Sequence, residues 1–343
     1  LDNELTTLEN KIQGGAAISK HDYTYDNVSN RLTHNITAAA NKNYSYTYNN
    51  IYELTGVSGS ETSSFAYDKL GNRTTSNGIS YTTNNLNQYT AVNSVTHNYD
   101  TNGNLTGDGI NTYGYDVENR LSSFSKSGTT ASYTYDSFNR RVSKTVNGTT
   151  TYFVYDGDDI IEERAVGGAL NANYVHGNGT DEPLTMTRAG STYYYYSDGL
   201  GSTRELTDSA GVVQETYSYS SFGQLSSTPV INNPYAFTGR EYDPESGNYH
   251  YRRRTYDPIT GSFLQRDPTG YVDGMNLFTY AHNSPTNYID PDGELAFLAL
   301  LPLAYAAFEF TLSAVDAYST GSTLLDPCAS GGEKLASAGA FLV

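Results

Sequence analysis

Between residues 240 and 295, aspartate stands directly before proline four times: Asp243-Pro244, Asp257-Pro258, Asp267-Pro268 and Asp290-Pro291. A carboxylate is a ready acid, base or cation ligand. The surrounding residues give a plainer account of each one. Asp at the first turn position, Pro at the second and Gly at the fourth or fifth is the chemistry of a tight turn. Taken one at a time, all four read as turn carboxylates. Other groups offer less. The six histidines, at 21, 34, 97, 176, 250 and 282, lack the spacing of a metal site. Asp100-x-Asn102-x-Asn104 starts like a calcium loop, but Leu105 replaces the required glycine and Asn111 the closing glutamate. Asp156-Gly157-Asp158-Asp159 reads as a solvated turn. Neither a glycine-rich phosphate loop nor a nucleophile elbow is present. No cofactor and no metal are expected.

The elements that must carry these turns announce themselves as a repeat. Tyr-x-Tyr-Asp, a turn, then Arg- or Asn-Leu-Thr recurs as YTYDNVSNRLT from Tyr23, YGYDVENRLS from Tyr113 and YTYDSFNRRVS from Tyr133. Weaker copies start at Tyr46, Phe65, Tyr81 and His97. The Asp or Asn closing each phrase falls at 26, 49, 68, 84, 100, 116, 136 and 156, a period of roughly 16 to 23 residues. Alternate residues of a strand share a face, so the two tyrosines of a phrase point the same way. The Asp opens a turn, Asn or Gly supplies positive φ, and the Leu-Thr pair starts the return strand. One unit is a β-hairpin, and stacked units make a long antiparallel sheet that twist must curl. Its Tyr, Thr, Asn and Ser face suits a wet lining better than a greasy core. The first twelve residues fit an amphipathic helix or a repeat strand. Asn3-Glu4-Leu5-Thr6 aligns with later units, which favours the strand.

Composition agrees. The chain of 343 residues holds 33 Tyr and no Trp, and 37 acidic residues against 20 basic give a net charge of −17. Such a surface repels nucleic acid and anionic membrane. The Arg252-Arg253-Arg254 triplet is therefore assigned to pairing with the chain's own carboxylates. One cysteine, Cys328, precludes an internal disulfide. The chain opens at Leu1 without a visible signal peptide and stops in LASAGAFLV; it reads as a fragment of a longer polypeptide.

The phrases resemble YD repeats, and FTGREYDPESGNYHYRRRTYDPITGSFLQRDPTGYVDGMNLFTYAHNSPTNYIDPDGEL, from Phe237 to Leu295, resembles the core domain of Rhs proteins. YYYYSDGLGSTRELTDSAG from Tyr193 and YSYSSFGQL from Tyr217 match it too. Related shells occur in the C components of insecticidal Tc toxins and in teneurins. The resemblance implies an all-β fold: an antiparallel hairpin-repeat sheet spiralling into part of a hollow YD/Rhs shell. It divides the chain into a repeat sheet (1–236), a core domain that plugs the shell (237–295) and the helical start of a variable C-terminal region (296–343).

The resemblance also lifts two aspartates above the turn reading. In such cores an Asp-Pro-x-Gly, a spacer and Asp-Pro-x-Gly-Leu mark an aspartyl autoprotease that cuts after the Leu and frees a cargo held inside. The matching positions here are Asp267 and Asp290, with Arg266 placed to tune a carboxylate or fix the cut strand. Two neighbouring carboxylates do not ionise together easily, so one keeps a proton while the other activates water. The sequence departs from the pattern at Gly293-Glu294-Leu295, where Glu294 displaces Leu295 by one residue. Cleavage between Leu295 and Ala296, cleavage after Glu294, and none at all stay open.

The implied partner is the chain's own C-terminal cargo, with secretion machinery or target-cell glycans as outer contacts and a secreted or cell-surface location. The apolar stretch 296–318 reads as helix, either packed on the shell or touching membrane. A second class of function is a non-catalytic adhesin or carbohydrate binder that stacks sugars on exposed tyrosines.

Overall fold

A computed structural model describes residues 4–12, 15–227 and 229–298. Five strands, Ala17–Tyr25, Lys42–Tyr48, Ser63–Tyr67, Thr112–Tyr115 and Thr129–Tyr135, end on the second tyrosine of a phrase. The Asp that comes next closes the turn as the sequence requires. Asp26 Oδ1 accepts the N–H groups of Val28 and Asn30, both at 2.9 Å, and its Oδ2 accepts the Asn30 amide. Asp100 makes the same three bonds with Asn102 and Asn104, so its calcium-like spelling is a turn.

The sequence gives no hint of a bulge at the second tyrosine, yet the ladder register shifts there in successive units, at Tyr25, Tyr48, Tyr67, Tyr115, Tyr135 and Tyr155. Each of these hydroxyls donates to a backbone carbonyl of the preceding unit. Tyr115 reaches Leu105 O and Tyr135 reaches Leu121 O, both at 2.7 Å, and Tyr155 reaches Arg141 O at 3.0 Å. A buried phenol needs a partner, and here the partner ties unit to unit. The first position of the phrase lacks that duty and accepts phenylalanine, as at Phe65 and Phe153.

The hairpins stack in strict sequence order. Ten strands from Thr7–Lys11 to Val95–Thr96 form one sheet, and thirteen from Asn98–Tyr99 to Val213–Thr216 form the next. Thr7–Lys11 pairs antiparallel with Ala17–Tyr25, which settles the N-terminal segment as strand rather than helix. A four-stranded sheet comes after them: Glu241–Asp243, Asn248–Tyr251, Arg254–Asp257 and Ser262–Phe263. Leu1–Ala296 is one compact unit.

Within that unit the tyrosine face is covered by the chain itself. Tyr23, Tyr113 and Tyr133 are buried, and each apolar cluster of the repeat sheet includes residues from beyond 217, among them Phe222, Leu264 and Tyr280. The tyrosines that would stack on sugars are thus largely inside. The stretch from Leu264 to Asn287 runs along the turn edge of the repeats in the opposite direction. Asn287 Oδ1 accepts the Arg31 N–H at 2.7 Å, and Thr286 bonds Tyr48 at 2.9 Å. Asn283 reaches Glu53 and Gly71, Asn276 reaches Asn72, and Leu264 O accepts the Leu105 N–H. The helix expected over 296–318 falls almost wholly outside the described residues, and where the two overlap Phe297–Leu298 is a strand, not helix. Among the described residues, no helix is long and apolar enough to cross a membrane.

Candidate active site

The four Asp-Pro turns have separate fates. Asp257 caps its own turn through the N–H groups of Ile259 and Thr260. Asp243 is a buried anchor: Arg141 Nη1 lies 2.6 Å and Lys144 Nζ 2.9 Å from its oxygens, and these cations hold its carboxyl well below the usual range against the cost of burial. Asp267 and Asp290 meet. Arg254 Nη2 lies 3.0 Å from Asp267 Oδ2 and 3.1 Å from Asp290 Oδ2. Twenty-odd residues of chain return to bring the two carboxylates onto one nitrogen.

Arg254 is placed by a tight hairpin whose register pairs Tyr251 with Arg254, leaving Arg252 and Arg253 as the turn. Arg252 has φ 44°, an arginine in the left-handed region that usually goes to glycine. Asp181, Asp292 and the Pro291 carbonyl hold its guanidinium there. The Arg254 guanidinium is buried, stacked 3.6 Å from the Phe263 ring centre. Its Nη1 donates to Leu277 O at 3.2 Å and its Nε to Gly293 O. Burial pushes its pKa down while Asp290 and Asp267 push it up. Gly293 must be glycine: φ is 68°, and a Cβ would sit 2.5 Å from the Tyr251 carbonyl oxygen.

The segment after Asp290 folds back over it. Asp290 Oδ1 accepts the Glu294 N–H at 3.0 Å and the Leu295 N–H at 3.2 Å. Burial pushes the Asp290 carboxyl up to about 6; Arg254 and the Glu294 N–H oppose the shift, while Asp273 and Asp292 add to it. Asp267 Oδ1 accepts the Thr269 N–H at 2.8 Å and its hydroxyl at 2.5 Å. One buried cation therefore faces two carboxylates, and burial lifts one of them, Asp290, toward neutral pH. That is the equipment for activating water.

Arg266 does not join them. Gln265 and Asp267 are buried while Arg266 between them is exposed, its stem over Gly103. The role the sequence offered to Arg266 is open to Arg254, hidden in the triplet. The triplet reading itself holds: Arg252 pairs with Asp181 and Asp292, Arg253 with Glu294 at 3.3 Å, Arg254 with the two aspartates. Glu294 is thus tied to Arg253 rather than placed against Arg254. Burial raises its pKa and Arg253 opposes this. Sequence reading also missed His21 and His34, whose ring nitrogens lie 2.9 Å apart across a buried strand pair. Burial lowers His21 to about 4 and His34 well below its ordinary value. No cluster of metal ligands is found among the described residues.

Comparison with known proteins places this architecture. The family model described as Teneurin YD-shell matches residues 3–286, and the chain belongs to that family. It is 33% identical over 266 residues to the tRNA3(Ser)-specific nuclease WapA of Bacillus spizizenii, covering 71% of this chain and 11% of that protein. The tRNA nuclease WapA of Bacillus subtilis is 32% identical over 266 residues, again 71% and 11%. The chain thus spans about a tenth of these relatives' length. Among solved structures, the Photorhabdus luminescens Tc holotoxin pore with a mutation in TccC3 superposes with TM-score 0.69 at 19% identity, over 83% of this chain and 17% of that one. That likeness establishes the fold.

Proposed function

We propose that this chain is the closing part of a toxin-delivery shell, and that it cuts its own backbone after Leu295 to free a C-terminal cargo. The observation that carries this reading is the shared nitrogen of Arg254: it joins Asp267 to Asp290 while Asp290 grips the N–H groups of Glu294 and Leu295. Asp290 thereby holds the two N–H groups just before the proposed cut. In this reading Asp267 and Asp290 share one proton and activate water, and Arg254 fixes the Gly293 carbonyl and with it the strand. Glu294, drawn aside by Arg253, leaves the site usable. The names of the relatives, two tRNA nucleases and a holotoxin pore, support a secreted carrier of a toxic C-terminal domain.

Intact-mass measurement of the purified protein and of Asp267→Asn tests this. Wild-type chain is expected as two fragments meeting at Leu295 and Ala296, and the variant as one. Uncut wild-type chain would remove the protease and leave a passive shell.

A further inference from the structure

The carboxylate pair explains how water is activated but not how the departing nitrogen is protonated. Both oxygens of Asp290 are engaged, one by the Glu294 and Leu295 N–H groups and one by Arg254. Those of Asp267 are held by Thr269 and Arg254. An amine leaves an amide only if its nitrogen gains a proton, so an acid within reach of the Ala296 nitrogen serves the cut.

A third carboxylate is there. Asp273 Oδ2 accepts the Ala296 N–H at 3.4 Å, and Asp273 Oδ1 lies 3.4 Å from His282 Nε2. The histidine sits in an unusual piece of backbone. Ala281, His282 and Asn283 have φ of 48°, 50° and 57°, three consecutive residues in the left-handed region. L-residues avoid this region, and such strain survives only where the surroundings impose it. Asn283 is pinned by Glu53 and Gly71, Ala281 is buried, and the Tyr288 ring stands edge-on to His282 at 5.4 Å. The turn holds His282 against Asp273. The charged groups facing Asp273 are His282, Arg254, Asp267 and Asp290. Burial raises the Asp273 carboxyl, opposed by His282, the Ala296 N–H and Arg254.

We propose that Asp273 is the acid that protonates the Ala296 nitrogen as the Leu295–Ala296 bond breaks, with His282 as the residue that positions and tunes it. The inference rests on the self-cleavage reading above. A water oxygen adds to the Leu295 carbonyl carbon and its proton passes to the Asp267–Asp290 pair. The nitrogen becomes pyramidal, its contact with Asp273 reverses, and Asp273 donates its proton as the C–N bond breaks. The products are a carboxylate at Leu295 and an amine at Ala296, with one water consumed. A molecule cuts itself once, so Asp273 need not be recharged.

The experiment is a time course of self-cleavage after cell-free synthesis of the full chain, monitored by intact mass between pH 5 and 9. Asp273→Asn is expected to cut roughly 100-fold more slowly at the same bond, in line with the loss of a general acid, and Asp273→Glu to recover part of the rate. In His282→Gln the partner that opposes the rise of the Asp273 carboxyl is gone. Asp273 then keeps its proton to higher pH, and the alkaline limb of the rate profile moves up by roughly half a unit or more. A merely structural role would lower the rate without moving that limb. Wild-type rates in Asp273→Asn, or an unmoved limb in His282→Gln, would overturn the assignment while the protease reading stood. An uncut wild-type chain would overturn both.

Discussion

Arg141 and Arg254 are buried arginines that each hold two carboxylates, and they behave as opposites. Arg141 pairs with Glu241 and Asp243, and Lys144 adds a second cation shared by Asp243 and Glu245. Arg254 pairs with Asp267 and Asp290 alone, with Asp273 nearby. In the first knot Asp243 is held well below the usual carboxylate range; in the second Asp290 is pushed up to about 6. Both arginines and the carboxylates they pair with are buried. The balance of charge differs: with one cation fewer, a proton has somewhere to stay. The clamp around Asp243 has Lys144 beside its arginine, whereas Arg254 serves the proposed acid–base site.

The largest test removes each arginine. Stripping the cation from a buried pair costs about 3–5 kcal/mol, so Arg141→Ala should lower the urea midpoint steeply at every pH from 5 to 8. Arg254→Ala should do so at pH 8 but much less at pH 5, because Asp290 can take up a proton instead. Equal losses at both pH values would break the comparison.

Next is Asp290 itself. Its folded carboxyl, at about 6, lies above its ordinary value of 3.8, so the folded state binds the extra proton. Stability contributed by that proton is present below pH 4 and is lost as pH rises through 6, up to about 3 kcal/mol. The Asp290→Asn variant should lack this decline when its unfolding free energy is subtracted from the wild type at each pH. The subtraction matters because buried neutral His21 gives the opposite slope: its stabilising effect is lost as pH falls from 6.5 through about 4. For Asp243→Asn the sign also reverses, with the wild type's advantage vanishing only as pH falls below 3.8.

The smallest effect sharpens the boundary between the knots. Tyr155→Phe deletes the hydroxyl that holds the Arg141 carbonyl at 3.0 Å. A loss of about 1 kcal/mol in chemical denaturation is expected, with self-cleavage by intact mass unchanged.

The sequence makes the wall legible because its rules are local. Asp26, Asn30 and their counterparts specify each turn within five residues, and alternation specifies the face. The second-tyrosine bulge leaves no local trace, since it serves a carbonyl one unit away. Asp267 and Asp290 could be picked out only through family resemblance. Arg254 and Asp273 carry no such mark. Arg254 reaches the pair across a hairpin, and Asp273 becomes relevant only when Ala296 folds back to touch it. Arg266 misled because it is exposed where its neighbour Asp267 is buried.

The segment from Leu264 to Asn287 laces back along the repeats from Leu105 to Arg31. Its last stitch, at Asn287, comes eight residues before Leu295. Scission after Leu295 would therefore cut the thread beyond the final knot. The seam itself would stay closed, so in the proposed reading cutting the chain and opening the container would be two separate events.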